Sequence, residues 1–219
     1  MVIQNLKNRV PSGKQLRIIL IFPNPISMIP NGFMYVAKRF KSNGFDLVVH
    51  LGAYAGVRHS MIEPEEYVMN NIVGTHNLIE ACKKAKIEKI VYASTSCVMA
   101  GNSLPWNENE KLGYQFNPYG YTKATNESQF MASDFASAIG LRFFTVYGPW
   151  GRPDMALFNF TNKIVNGEPI TLFNHGDMIR DFTYVGDIVQ GDKTGDKPLS
   201  EVVKEYIKEK YNKPGEVFL

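Results

Sequence analysis

Ile90-Val91-Tyr92-Ala93-Ser94-Thr95-Ser96 is a short apolar run that empties into three small hydroxyl residues. The run is continuous rather than alternating, so the strand it predicts is buried on both faces, as in a parallel sheet. Leu47-Val48-Val49-His50-Leu51 has the same texture and ends in Gly52-Ala53, small residues at a strand's carboxyl end. Residues 16–22, closed by Pro23-Asn24-Pro25, and residues 141–146 read as two more strands. Helical segments lie between them. A short one is expected over residues 34–43. A second opens at Pro64, with Glu63, Glu65 and Glu66 at the positive end of its dipole. Its apolar face carries Val68, Ile72, Ile79 and Cys82, and Lys83, Lys84 and Lys86 sit near its far end. A third is capped by Asn117, has Pro118 at its first position, and runs to about residue 136. Strand and helix alternate, which predicts an α/β fold: a parallel sheet with helices on both faces.

After Tyr147 the pattern changes. Gly148-Pro149-Trp150-Gly151-Arg152-Pro153 is a stiff loop. A helix over residues 156–165, a short strand over 170–173 and an ordered segment over 180–187 follow. Residues 191–198 read as a linker and 200–211 as a last helix. The predicted division is therefore a domain over 1–148 and a small C-terminal appendage over 149–219.

Composition removes several classes of function. The chain has 219 residues, 44% of them hydrophobic and 21% charged, which fits a globular domain. A net charge of +3 without a dense basic stripe argues against nucleic acid as partner. No apolar run reaches the roughly 20 residues of a membrane span. No leader is expected, and the two cysteines, Cys82 and Cys97, read as buried thiols in a reducing compartment. A cytoplasmic setting is the expectation. The four histidines have no metal-ligand spacing, and there is no Walker loop and no nucleophile elbow.

The chemistry lies in Asn117-Pro118-Tyr119-Gly120-Tyr121-Thr122-Lys123. Tyr119 and Lys123 are four apart and share a helix face. An ammonium beside a phenol favours the phenolate. Bringing a tyrosine from about 10 to about 7 takes about 4 kcal/mol of differential interaction. Such a phenolate takes a proton from a sugar or alcohol hydroxyl, and Thr95 can hold that hydroxyl in place. Taken alone, a Tyr and a Lys at this spacing are ordinary helix packing. Small hydroxyl residues at a strand end, followed by Asn-Pro and the pair at a helix start, favour the proton-transfer centre. It lies where parallel sheets bind ligands. Arg152 suits a clamp on a carboxylate or phosphate, or is a solvated arginine, with Thr145 a donor to the same anion. Arg180 and Asp181 read as an ion pair or a nucleotide contact. His50 reads first as a satisfied core histidine.

The chain resembles the extended short-chain dehydrogenase/reductase family, and within it the UDP-glucuronate 4-epimerases of capsule and lipopolysaccharide synthesis. The likeness runs from about residue 45 to 190. It is carried by His50-Leu51-Gly52-Ala53-Tyr54-Ala55-Gly56-Val57-Arg58, Asn70-Asn71-Ile72-Val73-Gly74-Thr75, Val91-Tyr92-Ala93-Ser94-Thr95-Ser96, Tyr119-Gly120-Tyr121-Thr122-Lys123, and Arg180-Asp181-Phe182-Thr183-Tyr184. The most specific string is Phe143-Phe144-Thr145-Val146-Tyr147-Gly148-Pro149-Trp150-Gly151-Arg152-Pro153-Asp154-Met155-Ala156.

The resemblance implies NAD as cofactor and a UDP-hexuronic acid as substrate, oxidised transiently at sugar C4 and reduced on the other face. Tyr119 would be the base and acid, Lys123 its tuner and a ribose ligand, and Thr95 the partner of the 4-hydroxyl. His50, Leu51, Gly52, Ala53, Asn71, Ala93 and Ser94 would line the cofactor, with Tyr119 and Lys123. Arg58, Ser96, Thr145, Arg152 and Arg180 would face the substrate. A homodimer is the candidate assembly. A dehydratase of the same fold would want an acidic residue where Ser96 follows Thr95.

The resemblance also marks departures. The family's Gly-x-x-Gly-x-x-Gly turn, which brings backbone to the pyrophosphate, is missing, and two prolines remove donors after residues 16–22. Met99-Ala100-Gly101 stands where relatives have Tyr-Gly. The expected fold is thus an incomplete Rossmann-like sheet. Two functional readings stay open: a UDP-sugar epimerase, or a catalytically silent relative with weak or no NAD binding.

Overall fold

The computed structural model describes residues 18–21, 38, 40, 44–177 and 180–190. Four parallel strands form the main sheet: β1 (Ile18–Ile21), β2 (Leu47–His50), β3 (Lys89–Thr95) and β4 (Ser137–Phe143). They lie side by side in chain order, with Ile21, His50, Tyr92 and Gly140 in one row across the sheet. This is the Rossmann-like α/β architecture expected from the sequence.

Between β2 and β3 the chain forms α1 (Val57–Ile62), α2 (Pro64–Tyr67), a π-helical turn (Val68–Val73) and α3 (Gly74–Ala85). Between β3 and β4 it forms a 3₁₀ turn (Ser96–Met99) and α4 (Pro118–Met131). Strands added in one direction with right-handed crossovers place successive helices on the same face. Accordingly, Leu78, Ile79 and Cys82 of α3 and Phe130 of α4 pack in one cluster with Val48, Ile90 and Tyr92. Leu47, Val49 and Val91 point the other way along their strands. They are buried too, which explains the unbroken apolar runs. Phe130 stacks on Tyr92 at 4.1 Å. Gly140 makes room for that ring, since a Cβ there would meet the Tyr92 hydroxyl and ring carbon at 2.6 Å.

Several expectations are corrected. The helix opening at Pro64 is not continuous. It is interrupted by the π turn, and α1 precedes it. The strand expected over 141–146 begins earlier, at Ser137, and stops at Phe143. Thr145–Tyr147 belongs to a second sheet. Helix α4 ends at Met131 rather than near 136. Residues 170–172 are irregular, and a 3₁₀ turn spans Phe173–Gly176 where a strand was expected. Cys82 is fully buried and its thiol is pushed up to about 12 by desolvation, but Cys97 is only half-buried. Residues 38 and 40 are helical. The rest of the segment 34–43, the linker 191–198 and the helix 200–211 lie outside the described residues.

The chain divides into compact units between Phe143 and Phe144. In the second unit, β5 (Thr145–Tyr147) pairs in parallel with β6 (Phe182–Tyr184). Tyr147 packs against Phe182 and Tyr184 with ring centroids 6.4 and 5.6 Å apart. Its described residues also form helix α5 (Ala156–Val165) and helix α6 (Val185–Gln190). Among the described residues, no helix is long and apolar enough to cross a membrane, and no group of three His, Cys, Asp or Glu is placed to hold a metal ion.

Candidate functional site

Helix α4 starts where the sequence places it. Asn117 is extended, and its Oδ1 accepts the Gly120 N–H at 2.8 Å, with Pro118 at the first helical position. This cap fixes the first turn, and so fixes where Tyr119 and Lys123 project. Tyr119 is half-buried, and its ring meets the edge of Tyr67 at 6.3 Å. Tyr67 is itself buried, with its hydroxyl shared between the Gly56 carbonyl (2.9 Å) and the Ala55 carbonyl (3.2 Å). Tyr54 also packs against Tyr67, with ring centroids 5.8 Å apart. Gly56 has φ 120°, a conformation glycine alone adopts easily, and turns the chain from the β2 exit into α1.

Lys123 is only 3% exposed. Its ammonium has no hydrogen-bond acceptor among the described residues. Burial pulls it down to about 8, partly offset by the Glu127 carboxylate one turn further along the helix. His50, at the carboxyl end of β2, is likewise buried. Its Nε2 shares a 3.2 Å hydrogen bond with Thr75 Oγ1, while its Nδ1 is buried without a partner among the described residues. Desolvation, with a smaller push from Lys123, lowers His50 to about 3. The imidazole is therefore neutral at ordinary pH, which leaves the cationic role to Lys123. Thr95 is buried at the end of β3 and accepts the Cys97 N–H at 3.3 Å.

Asn71 ties these parts together. Its Oδ1 accepts the Tyr54 N–H at 2.8 Å. Its Nδ2 donates to the Tyr54 carbonyl at 3.1 Å and to Thr122 Oγ1 at 3.0 Å. Thr122 Oγ1 in turn donates to the Tyr119 carbonyl at 2.9 Å. A π turn frees backbone carbonyls from the regular ladder. Here Asn126 Nδ2 donates to the Asn71 carbonyl at 2.7 Å, and Gln129 Nε2 to the Ile72 carbonyl at 3.1 Å. The π turn and α4 are thereby joined by side chain-to-backbone bonds.

Behind Lys123, Glu127 is 6% exposed. It receives Arg142 Nε on Oε1 at 3.1 Å and Arg142 Nη2 on Oε2 at 2.9 Å. Ser94 Oγ also donates to Oε1, at 2.5 Å. The Glu127 hydrogen bond holds Arg142 above the usual guanidinium value. Among the residues expected at the cofactor, Leu51, Gly52, Ala53 and Ala93 are half-buried, and His50, Asn71 and Ser94 are buried. Ser96 is half-buried and Arg58 exposed. In the second unit, Thr145 is half-buried and Arg180 exposed. The Arg152 fork there is occupied by Asp154, through Nε at 3.0 Å and Nη2 at 2.5 Å.

Thr122, Asn126, Glu127, Gln129, Tyr67 and Arg142 were not among the residues expected from sequence. A signal was present. Positions 122, 126 and 129 recur at helical spacing in a segment that must bury one face yet offers polar side chains there.

A profile of the NAD dependent epimerase/dehydratase family matches residues 34–192. The chain belongs to this family. It is 45% identical over 161 residues to Protein CapI of Staphylococcus aureus, covering 71% of this chain and 48% of that protein. It is 43% identical over 192 residues to UDP-glucuronate 4-epimerase 1 of Arabidopsis thaliana, covering 83% and 45%. Its fold is similar to a tyrosine-to-phenylalanine mutant of UDP-glucuronic acid 4-epimerase from Bacillus cereus in complex with UDP-4-deoxy-4-fluoro-glucuronic acid and NAD. That match has a TM-score of 0.66 and 37% identity, covering 71% of this chain and 50% of the other. The chain spans about half the length of the curated relatives it matches.

Proposed function

We propose that this chain carries the proton-transfer centre of a UDP-sugar 4-epimerase whose substrate is a UDP-hexuronic acid, UDP-glucuronate and UDP-galacturonate being the two epimers. The supporting observation is the Lys123 side chain, buried, one helical turn from Tyr119, and with no hydrogen-bond acceptor for its ammonium among the described residues. A buried cation without a partner is costly unless a ligand supplies one. Ribose hydroxyls fit that need, so the residues present suit the nicotinamide-ribose end of NAD. The stretch following β1, Pro23-Asn24-Pro25, does not provide the glycine turn for a pyrophosphate.

Within this reading, Tyr119 takes the proton of the sugar 4-hydroxyl and returns it, Lys123 favours the phenolate and holds ribose hydroxyls, and Thr95 orients the 4-hydroxyl. Bound NAD supplies the hydride chemistry. His50, Leu51, Gly52, Ala53, Asn71, Ala93 and Ser94 line the cofactor. Arg58, Ser96, Thr145, Arg152 and Arg180 are assigned to the UDP-sugar, with Arg152 exchanging Asp154 for the substrate carboxylate. The same reading takes in a homodimer and a cytoplasmic setting.

The proline-bearing stretch favours a second reading, a catalytically silent relative that retains the fold. Calorimetry with NAD and then UDP-glucuronate separates the two. Binding of NAD at or below about 1 mM that is lost in Lys123→Met supports the epimerase. No NAD heat at that concentration supports the silent relative.

A further inference from the structure

Tyr119, Lys123 and Glu127 stand at i, i+4 and i+8 on α4, so they form one column along the helix. Glu127 is the only carboxylate in that column. An unrestrained glutamate one turn from a buried lysine would close onto it and occupy its N–H donors. Here it does not. Arg142 on β4 engages both carboxylate oxygens, at 3.1 and 2.9 Å, and Ser94 on β3 donates to Oε1. Arg142 is itself braced, with Nη1 donating to the Glu108 carbonyl at 3.2 Å. Both anchors lie on strands of the sheet, and Ser94 immediately precedes Thr95.

We propose that Glu127 is a positioning residue, a tethered counter-charge that keeps Lys123 protonated while Arg142 and Ser94 hold it back from the ammonium, leaving the lysine donors for a polyol ligand. This deepens the role assigned to Lys123 and rests on it for its purpose. The placement itself is independent of turnover. A direct Glu–Lys pair would satisfy the cation and block the ligand. A missing carboxylate would let burial neutralise it. The tether avoids both outcomes. Among the described residues, the other titratable groups facing this cluster are His50 on β2, kept neutral by burial, Tyr92 on β3, pushed up to about 12 by desolvation and Glu127, and Tyr119 on α4 itself.

The test is a ¹³C NMR titration of lysine Cε in the full chain without ligand, with Lys123 assigned by the signal missing from Lys123→Arg. Glu127→Gln should lower the Lys123 midpoint by about one unit. Arg142→Gln should raise it, because the freed carboxylate closes onto the ammonium, and Ser94→Ala should raise it less. Where Glu127→Gln does not fold, Arg142→Gln and Ser94→Ala carry the test with the opposite sign. A midpoint unchanged in the variants that fold would mean that Glu127 serves only its bond to Arg142, and would overturn the proposal. Absence of epimerase activity alters none of these midpoints, so the two proposals fail separately.

Discussion

Replacing His50 by glutamine should flatten the acid side of the stability curve. His50 titrates at 6.5 when unfolded and at about 3 in the folded chain, where it is buried against Thr75 and Phe130 and lies near Lys123. The unfolded chain therefore binds a proton that the folded chain refuses, and stability falls as pH drops from 6.5 towards 3. Each pH unit in that window costs about 1.4 kcal/mol. Between pH 6.5 and about pH 4.5 the loss from this one residue is about 2 kcal/mol. Against a typical 5–15 kcal/mol for a domain, that loss decides whether the fold survives mild acid. Urea denaturation of the wild type and His50→Gln, at pH 7 and at about pH 4.5, measures it. Carboxylates contribute to both curves, so the difference between the two isolates the imidazole. Glutamine can keep a bond to Thr75 without taking a proton. Parallel curves over this range would refute the claim that His50 is held neutral in the fold.

Tyr119→Phe should leave the fold intact, since the ring keeps its edge contact with Tyr67. Any epimerase activity should fall by about 10²–10⁴-fold, read as kcat with circular dichroism as the fold control. Asn71→Ala removes one acceptor and two donors, and strands the Tyr54 N–H inside the protein. It should cost about 2–4 kcal/mol in urea denaturation, and loss below about 1 kcal/mol would show that the Asn71 bridge is dispensable.

The sheet was readable where burial is symmetrical. Leu47–His50 is buried at every position, so its apolar run marks a parallel strand without periodicity. The break at Phe144 was hidden because Phe143-Phe144 continues a strand-like segment and does not show where the chain leaves one sheet for another. The helix after Pro64 misled for a related reason. A π turn changes the residues per turn, so Val68 and Ile72 fall out of phase with Ile79 and Cys82. The start of α4 was legible because Asn-Pro is local chemistry. The buried polar face of that helix was not, because Asn126, Glu127 and Gln129 acquire their roles from Asn71, Ile72, Ser94 and Arg142, 15 to 57 residues away in sequence.

The π turn at Val68–Val73 holds one residue more than the smooth spiral on either side of it. Deleting a single amino acid there would let the spiral close into an ordinary ladder, locally a more comfortable backbone. The same deletion would swing Asn71 by about 100° and withdraw both carbonyls that Asn126 and Gln129 grip. Local comfort and long-range alignment are thus opposed at this spot. A shortened chain could look sound by its helix content and still hold its tyrosine at the wrong angle.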